Sequence, residues 1–483
     1  MSRSGVLKPL SSALEPCNTP GFAAESGRPD NESSTHKGGR GRREDRRKTN
    51  RRKMRGMGSE CTGTFLWSKG KPFTPITGRA GGFIGLSAPG SSVLGMGMTR
   101  YSRRRVLRIL ASLSTALPLF PGLVRAASAP PLDQIHALVG QMLLVGFRGT
   151  QAPENSPVAR DLQARDKGGV HAAGTVLFDY DMQLHQYGRN VTGPKQLRQL
   201  TDQLRLHAPT APLLAVDQEG GRVQRLKPEQ GFPGIPSARD LGAAGKDTSA
   251  TFQAGQKLGR MLHSAGLNLN FAPVVDVDRN QSSPAIGALG RSYSPDPDIT
   301  TRHAAAFIRG LREYSILSCL KHFPGHGSAA EDSHAGLPDV TGLWSEVELL
   351  PYTTLLPQGM ADMVMVAHLF NREWDTRFPA SLSRSVVHGM LRTRLGFDGV
   401  IVTDDLDMKA VADQYDLEQR ILLAVHAGND LLLFGNNLRY DPDLAPTVRA
   451  ILLEHILAER ISVERIVASL RRVARLKRSL APC

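Results

Sequence analysis

From about residue 133 to residue 480 the chain repeats one pattern of polarity: a short apolar run, then a longer stretch whose apolar positions recur every three to four residues. The short runs are "MLLVGF" (from 142), "GTVLF" (174), "PLLAVD" (212), "LNLNFAPV" (267), "SILSCL" (315), "MVMVAH" (363), "GVIVTD" (399) and "DLLLF" (430). Runs of this length, bounded by Gly, Pro and Asp, predict buried strands. The stretches between them, among them "GPKQLRQLTDQLRLHA", "TFQAGQKLGRMLHSAG", "DITTRHAAAFIRGLREY" and "SRSVVHGMLRTRLG", have helical spacing, as does the closing run "SVERIVASLRRVARLKRSL". Eight strand and helix alternations predict a single (β/α)8 TIM barrel. The rival is an open doubly wound sheet, which would carry a glycine-rich phosphate loop after its first strand. Neither GxGxxG nor GxxxxGK[ST] occurs in the chain.

A barrel places its working residues on the loops that leave the C-terminal ends of its strands. Polar clusters stand in those places. "DQEGGRVQR" (217–225) follows the third run, "APVVDVD" the fourth and "KHFPGHG" (321–327) the fifth, while "AH" closes the sixth and "TDD" (403–405) the seventh.

Charge changes the picture only at the N-terminal end. The net charge of +15 suggests a nucleic-acid or membrane partner, but residues 1–129 hold 23 Lys+Arg against 7 Asp+Glu, leaving 37 against 38 for the rest. The body is neutral, which excludes a nucleic-acid partner for it. Residues 1–97 are rich in Gly, Ser, Pro and Arg without hydrophobic periodicity, and read as a non-translated or disordered basic extension. Residues 98–129 combine a basic start, an apolar run from Ile109 to Val124 and small residues at Ala127 and Ala129, the order of an export signal. The run is shorter than the ~20 residues of a membrane-spanning helix, so no stable span is expected. The twin arginines of "SRRRVL" resemble a twin-arginine export signal. Translation from Met96 or Met98 and a periplasmic or otherwise exported protein are therefore expected, with a cytoplasmic one if the signal is not used. Residues 130–483 form the expected domain. Only Cys319 and Cys483 fall in it, so it carries no disulfide framework and no CxxC metal spacing.

The densest chemistry lies in "KHFPGHGSAAEDSH" (321–334), which reads as a loop. As a metal site it is poor: His322 and His326 have the spacing of a zinc helix, but Pro324, Gly325 and Gly327 oppose a helix there. As an acid/base site it is better, because Asp332, two residues before His334, can orient one imidazole nitrogen while the other faces a substrate. Asp404, at the end of an unbroken apolar strand, supplies a rigidly held carboxylate, although it or Asp405 can equally cap the next helix. A carboxylate facing an acid/base is the equipment of a retaining glycosidase.

Taken in order, "DQEGGRVQR", "KHFPGHG" with "DSH", and "TDDLDM" resemble glycoside hydrolase family 3, specifically its single-barrel β-N-acetylglucosaminidases of peptidoglycan turnover. The resemblance spans about 130 to 480. It implies Asp404 as nucleophile, His334 as acid/base and Asp332 as its partner. It implies Asp217, Arg225, Arg291, Lys321 and His322 as the residues that hold the terminal sugar, with no cofactor and no metal. Arg225 and Arg291 can alternatively be rim salt bridges. Thr403 and Tyr293 depart mildly from the Ser and Phe usual in the family. The substrates implied are terminal N-acetylglucosaminides of muropeptides or related oligosaccharides, handled by a monomer. A family 3 β-glucosidase, a phosphorolytic variant and a non-catalytic glycan-binding barrel are the alternatives.

Overall fold

The computed structural model describes residues 132–480. The basic extension (1–97) and the signal-like segment (98–129) lie outside the described residues, as does Cys483. Each of the eight predicted runs contains a strand: β1 (Leu143–Val145), β2 (Gly174–Leu177), β3 (Leu213–Val216), β4 (Leu269–Asn270), β5 (Leu317–Phe323), β6 (Met363–Val366), β7 (Val400–Thr403) and β8 (Leu432–Phe434). They pair in parallel, in the order β8-β1-β2-β3-β4-β5-β6-β7. A parallel bridge between Val402 and Leu431 joins the two ends and closes the barrel. Thr403 takes part in that seam, since its Oγ1 accepts a hydrogen bond from the Leu433 amide at 3.1 Å.

Helices return the chain on the outside: α1 (Pro157–Leu162), α2 (Pro194–His207), α3 (Ser249–Ser264), α4 (Pro297–Arg312), α5 (Leu350–Leu355), α6 (Ser385–Arg394, a π-helix), α7 (Leu417–Ala427), α8 (Leu444–Leu457) and α9 (Val463–Arg478). Their apolar stripes meet the outward residues of the strands, such as Leu214 and Val216 of β3 or Val364 and Val366 of β6. The alternate residues fill the barrel: Leu144, Val176, Leu213, Ala215, Leu269, Leu317, Cys319, Met363, Met365, Val400, Val402 and Leu433 form one cluster. Val473 and Leu476 of α9 join that cluster. The interior is thus a packed plug and not a pore.

One expectation is corrected here. "KHF" is not the start of a loop, because β5 runs on through Phe323. The neighbours on both sides extend its ladder: the Val275 amide donates to Lys321 O at 2.8 Å and the Ala367 amide to Phe323 O at 2.9 Å. The capping alternative for Asp404 and Asp405 also fails. The helical turn after β7 (Lys409–Ala412) has Met408 at its N-cap, and Asp405 instead accepts amides from Gly435 (2.8 Å) and Asp407 (3.0 Å).

The seam is tied together at the entry of β8. Fully buried Asp430 pairs with Arg392 of α6, lies 3.3 Å from Arg472 of α9, and accepts bonds from Ser469 Oγ (2.7 Å) and the Ile401 amide (3.0 Å). Removing one member of a buried ion cluster leaves the others uncompensated. Asp430→Ala should therefore destabilise the fold by about 3–5 kcal/mol, read from urea unfolding by circular dichroism; a change below about 1 kcal/mol would show that the arginines are already solvated.

Candidate active site

The period of a strand explains where the site lies. Ala215, Cys319 and Val402 belong to the plug, so the residues two further on, Asp217, Lys321 and Asp404, share their parity and form the next interior layer at the C-terminal mouth. Phe178 stands in the same relation to Val176. All four line one cavity of about 280 Å³, together with Glu219, Arg225, Arg291, His322, His326, Asp332 and His334. The eight site residues expected from the sequence are thus brought to a single cavity.

One wall of the cavity is a chain of charges. Lys321, only 2% exposed, places Nζ 2.8 Å from both Asp217 Oδ1 and Glu219 Oε1. Arg291 grips Glu219 with two bonds, Nε to Oε2 at 2.8 Å and Nη2 to Oε1 at 2.7 Å, while Arg225 Nη2 is 3.4 Å from Asp217 Oδ2. Burial opposes charge on both carboxylates, but the cations outweigh it. Lys321 and Arg225 hold Asp217 well below the usual carboxylate range, and Arg291 and Lys321 bring Glu219 down to about 2. Burial likewise opposes the Lys321 ammonium, and the two carboxylates raise it all the same. Arg225 and Arg291 are therefore ion-paired and line the cavity at once.

His322 continues the chain. Its Nε2 lies 3.1 Å from Arg291 Nη2 and its Nδ1 2.7 Å from Asp276 Oδ2, in the loop after β4. Glu219 and Asp276 received no role from the sequence, although both lie inside runs that end strands. The available signal for Glu219 is its place two residues beyond Asp217, in a run already charged. Asp276 shows none, because its partners lie 46 and 50 residues away.

The opposite side carries Asp404. Its amide donates to Val366 O at 2.9 Å, fixing the end of β7 to β6, and its Oδ1 accepts the Asp405 amide at 2.8 Å. Burial raises this carboxyl, but the imidazoles of His322 and His368, the Asp405 amide and His334 bring it below its ordinary value. Its neighbour goes the other way, since burial and the nearby Asp407 carboxylate raise Asp405. His368, at the end of β6, is buried with Nδ1 2.6 Å from Ser381 Oγ and Nε2 2.9 Å from Asp405 O. The two adjacent acids are thus shifted in opposite directions, and both line the cavity.

His334 lies on the loop beyond β5 with its side chain 66% exposed. Asp332 Oδ1 meets both its Nδ1 and its amide at 2.9 Å. That bond raises the imidazole pKa above 6.5 and brings Asp332 down to about 2. With Nδ1 turned to Asp332, Nε2 is the nitrogen available to a substrate. His322 and His326 have ring centroids 5.8 Å apart, but Asp276 takes the Nδ1 of the first, and burial pushes the second down to about 4. Among the described residues no group of three or more His, Cys, Asp or Glu side chains stands where it could hold a metal ion.

A family model, the N-terminal domain of glycosyl hydrolase family 3, matches residues 137–476. A beta-hexosaminidase of Tolumonas auensis is 38% identical over 255 residues, which is 52% of this chain and 74% of that protein. Beta-hexosaminidase A of Pseudoalteromonas piscicida is 32% identical over 367 residues, 71% of this chain and 61% of its own. Among solved structures, a glycoside hydrolase family 3 β-N-acetylglucosaminidase from a Paenibacillus species matches with a TM-score of 0.63 at 34% identity, covering 71% of this chain and 63% of that one. A β-N-acetylhexosaminidase from Beutenbergia cavernae matches with a TM-score of 0.61 at 28% identity, covering 70% and 97%. Parallel barrel, charged mouth and family match agree, and the chain belongs to glycosyl hydrolase family 3.

Proposed function

We propose that the protein is an exo-acting, retaining β-N-acetylglucosaminidase that releases single terminal N-acetylglucosamine residues. The observation that carries this reading is the pairing, in one cavity, of an ionised Asp404 with the His334–Asp332 couple. The family model and the beta-hexosaminidase names of the relatives support the reaction class, and the β-N-acetylglucosaminidase structures support the sugar. A cavity of about 280 Å³ falls just below the usual range of ligand pockets, roughly 300–1,000 Å³, and suits one pyranose better than a run of them.

In the first step an Asp404 oxygen bonds to the anomeric carbon as the bond to the leaving oxygen breaks, and that oxygen takes the proton of His334 Nε2. In the second, His334 takes a proton from water, whose oxygen bonds to the anomeric carbon and releases Asp404. Asp217, Arg225, Arg291, Lys321 and His322 meet the sugar hydroxyls. These charged groups are already fixed by one another, so binding requires little reorganisation.

The two roles separate in kinetics. Asp404→Ala should abolish turnover of every glycoside. His334→Ala should still form the glycosyl-enzyme from an activated aryl glycoside, seen as a burst, with azide rescuing turnover to a β-configured product, while natural glycosides lose on the order of 10²- to 10⁴-fold. A burst surviving in Asp404→Ala and absent from His334→Ala would reverse the assignment. The aryl glucoside, assayed beside the aryl N-acetylglucosaminide, should be the poorer substrate.

The pH profile follows from the shifts. Asp404 acts ionised, and its carboxyl sits below 3.8, so the acid limb of kcat/KM lies below that value. His334 acts protonated in the first step and sits above 6.5, so activity is lost on the alkaline side as pH rises through that raised value. Asp332→Asn removes the charge that raises it and should move the alkaline limb to lower pH; an unmoved limb would disconnect Asp332 from His334.

Export rests on the order of features in residues 98–129 and brings the enzyme to muropeptides as its substrates. Mass spectrometry of the cell-associated protein should find a terminus near Ser128 or Pro130, and intact residues 1–97 in the cytoplasmic pool would contradict export.

A further inference from the structure

The segment that leaves β5 has two parts. Residues 322–329 form a buried ledge, and the chain then emerges at Ala330 and Glu331 toward Asp332 and His334. The ledge, "HFPGHGSA", has no regular ladder for most of its length, so its backbone donors require other acceptors. Two carboxylates from separate elements supply them. Asp276 Oδ1 takes the amides of His322 (3.1 Å) and His326 (2.8 Å), and Glu348 Oε2 takes the amide of Gly327 at 2.8 Å.

Glu348 belongs to the short 3-10 turn Glu346–Leu349 that precedes α5, and it is 0% exposed. It presses directly on the ledge. A Cβ on Gly327 would lie 1.7 Å from Val277 O on one side and 3.3 Å from Glu348 Oε2 on the other, and a Cβ on Gly325, at φ +130°, would lie 2.5 Å from Glu348 Cβ. The backbone is thus held between a main-chain carbonyl and a carboxyl, and only glycine fits the gap.

The carboxyl is also isolated. The groups that act on it are Asp276, which opposes its charge, and the bond from the Gly327 amide; Tyr352 of α5 and His326 are the other titratable groups near this buried region. Among the described residues no Lys or Arg pairs with it. Burial pushes it up to about 7. A buried acid without a counter-cation is costly, which asks for a role beyond packing.

We propose that Glu348 is a positioning residue for the acid/base: by holding the Gly327 amide it fixes the ledge from which the outer loop carries Asp332 and His334 to the cavity. The proposal rests on the assignment of His334 as acid/base. Asp217 and Asp404 directly follow β3 and β7, Lys321 and His322 lie within β5, and His322 is held by Asp276 rather than by Glu348, so a ledge loosened at Gly327 misplaces the proton donor and leaves nucleophile and sugar contacts in place. The kinetic mark is then dependence on the leaving group, because a good leaving group needs no proton.

The test compares kcat/KM for N,N′-diacetylchitobiose and for an aryl N-acetylglucosaminide with an acidic phenol, in wild type, Glu348→Met, Glu348→Ala and Glu348→Gln. Met fills the space without an acceptor, and Ala serves should Met overpack. Either should lose at least about tenfold on the disaccharide and less than about threefold on the aryl glycoside, short of the 10²- to 10⁴-fold of losing the acid/base outright. The inhibition constant of free N-acetylglucosamine should stay unchanged. Glu348→Gln keeps an oxygen for the Gly327 amide and should restore most of the disaccharide activity. Equal losses on both substrates, or none, would overturn the proposal. His334→Ala is measured alongside. If it shows the leaving-group signature and the Glu348 variants do not, only the positioning role falls; if it loses both substrates equally, the acid/base assignment falls and this proposal with it.

Discussion

The site depends on one constraint, the burial of the Lys321 ammonium at the mouth of a closed barrel. An unpaired cation there would cost more than packing returns. Asp217 and Glu219 answer it, each 2.8 Å away, and their surplus negative charge is met in turn by Arg225 and Arg291. His322 and Asp276 extend the same series. Every member is held by its neighbours, which is the condition under which a buried polar network fixes geometry instead of loosening it. The low pKa values of the carboxylates follow from this arrangement, and so does a wall of fixed donors and acceptors suited to a polyhydroxylated ligand.

The barrel separates that network from what holds the fold. The plug inside the strands and the α9 residues Val473 and Leu476 are apolar. The buried acid of the seam, Asp430, lies at the entry of β8, at the opposite end from the mouth. Charge needed for chemistry and charge needed for closure are therefore insulated from each other by a layer of Val, Leu and Met. The three Asp residues that do the most, Asp217, Asp404 and Asp430, are distinguished by which end of a strand they occupy.

Much of this was legible in the sequence for a simple reason. In a parallel barrel the strands are buried on both faces, so each stands out as an apolar run between helical stretches. The working residues fall where the run stops, which is how Asp404 could be singled out and how Asp217 and Lys321 came to lie in candidate clusters, their roles being supplied by the family resemblance. What escaped was long-range. The ladder that lengthens β5 through Lys321 and His322 is set by Val275 and Ala367, which lie beyond the ends of the neighbouring strands, and nothing local to "KHF" announces it. Asp276 and Glu348 act on backbone amides of a ledge 46 to 50 and 21 residues away, through contacts that no spacing rule describes. Asp405 looked equivalent to Asp404 until Gly435, 30 residues on, proved to be its partner.

The closing seam also bears on how the protein comes into being. β1 pairs with β8, and Asn436 Nδ2 donates to Gly146 O across 290 residues of chain. A nascent chain that has already made Asp217 and Lys321 still lacks the strand bearing Asp404 and the strand that completes the ring. Until β8 and α9 are available, the charges of the mouth stay hydrated and the plug has no floor. A closed mouth therefore exists only once β8 and α9 have been made, and a chain that stops before them lacks the ring on which the mouth is built.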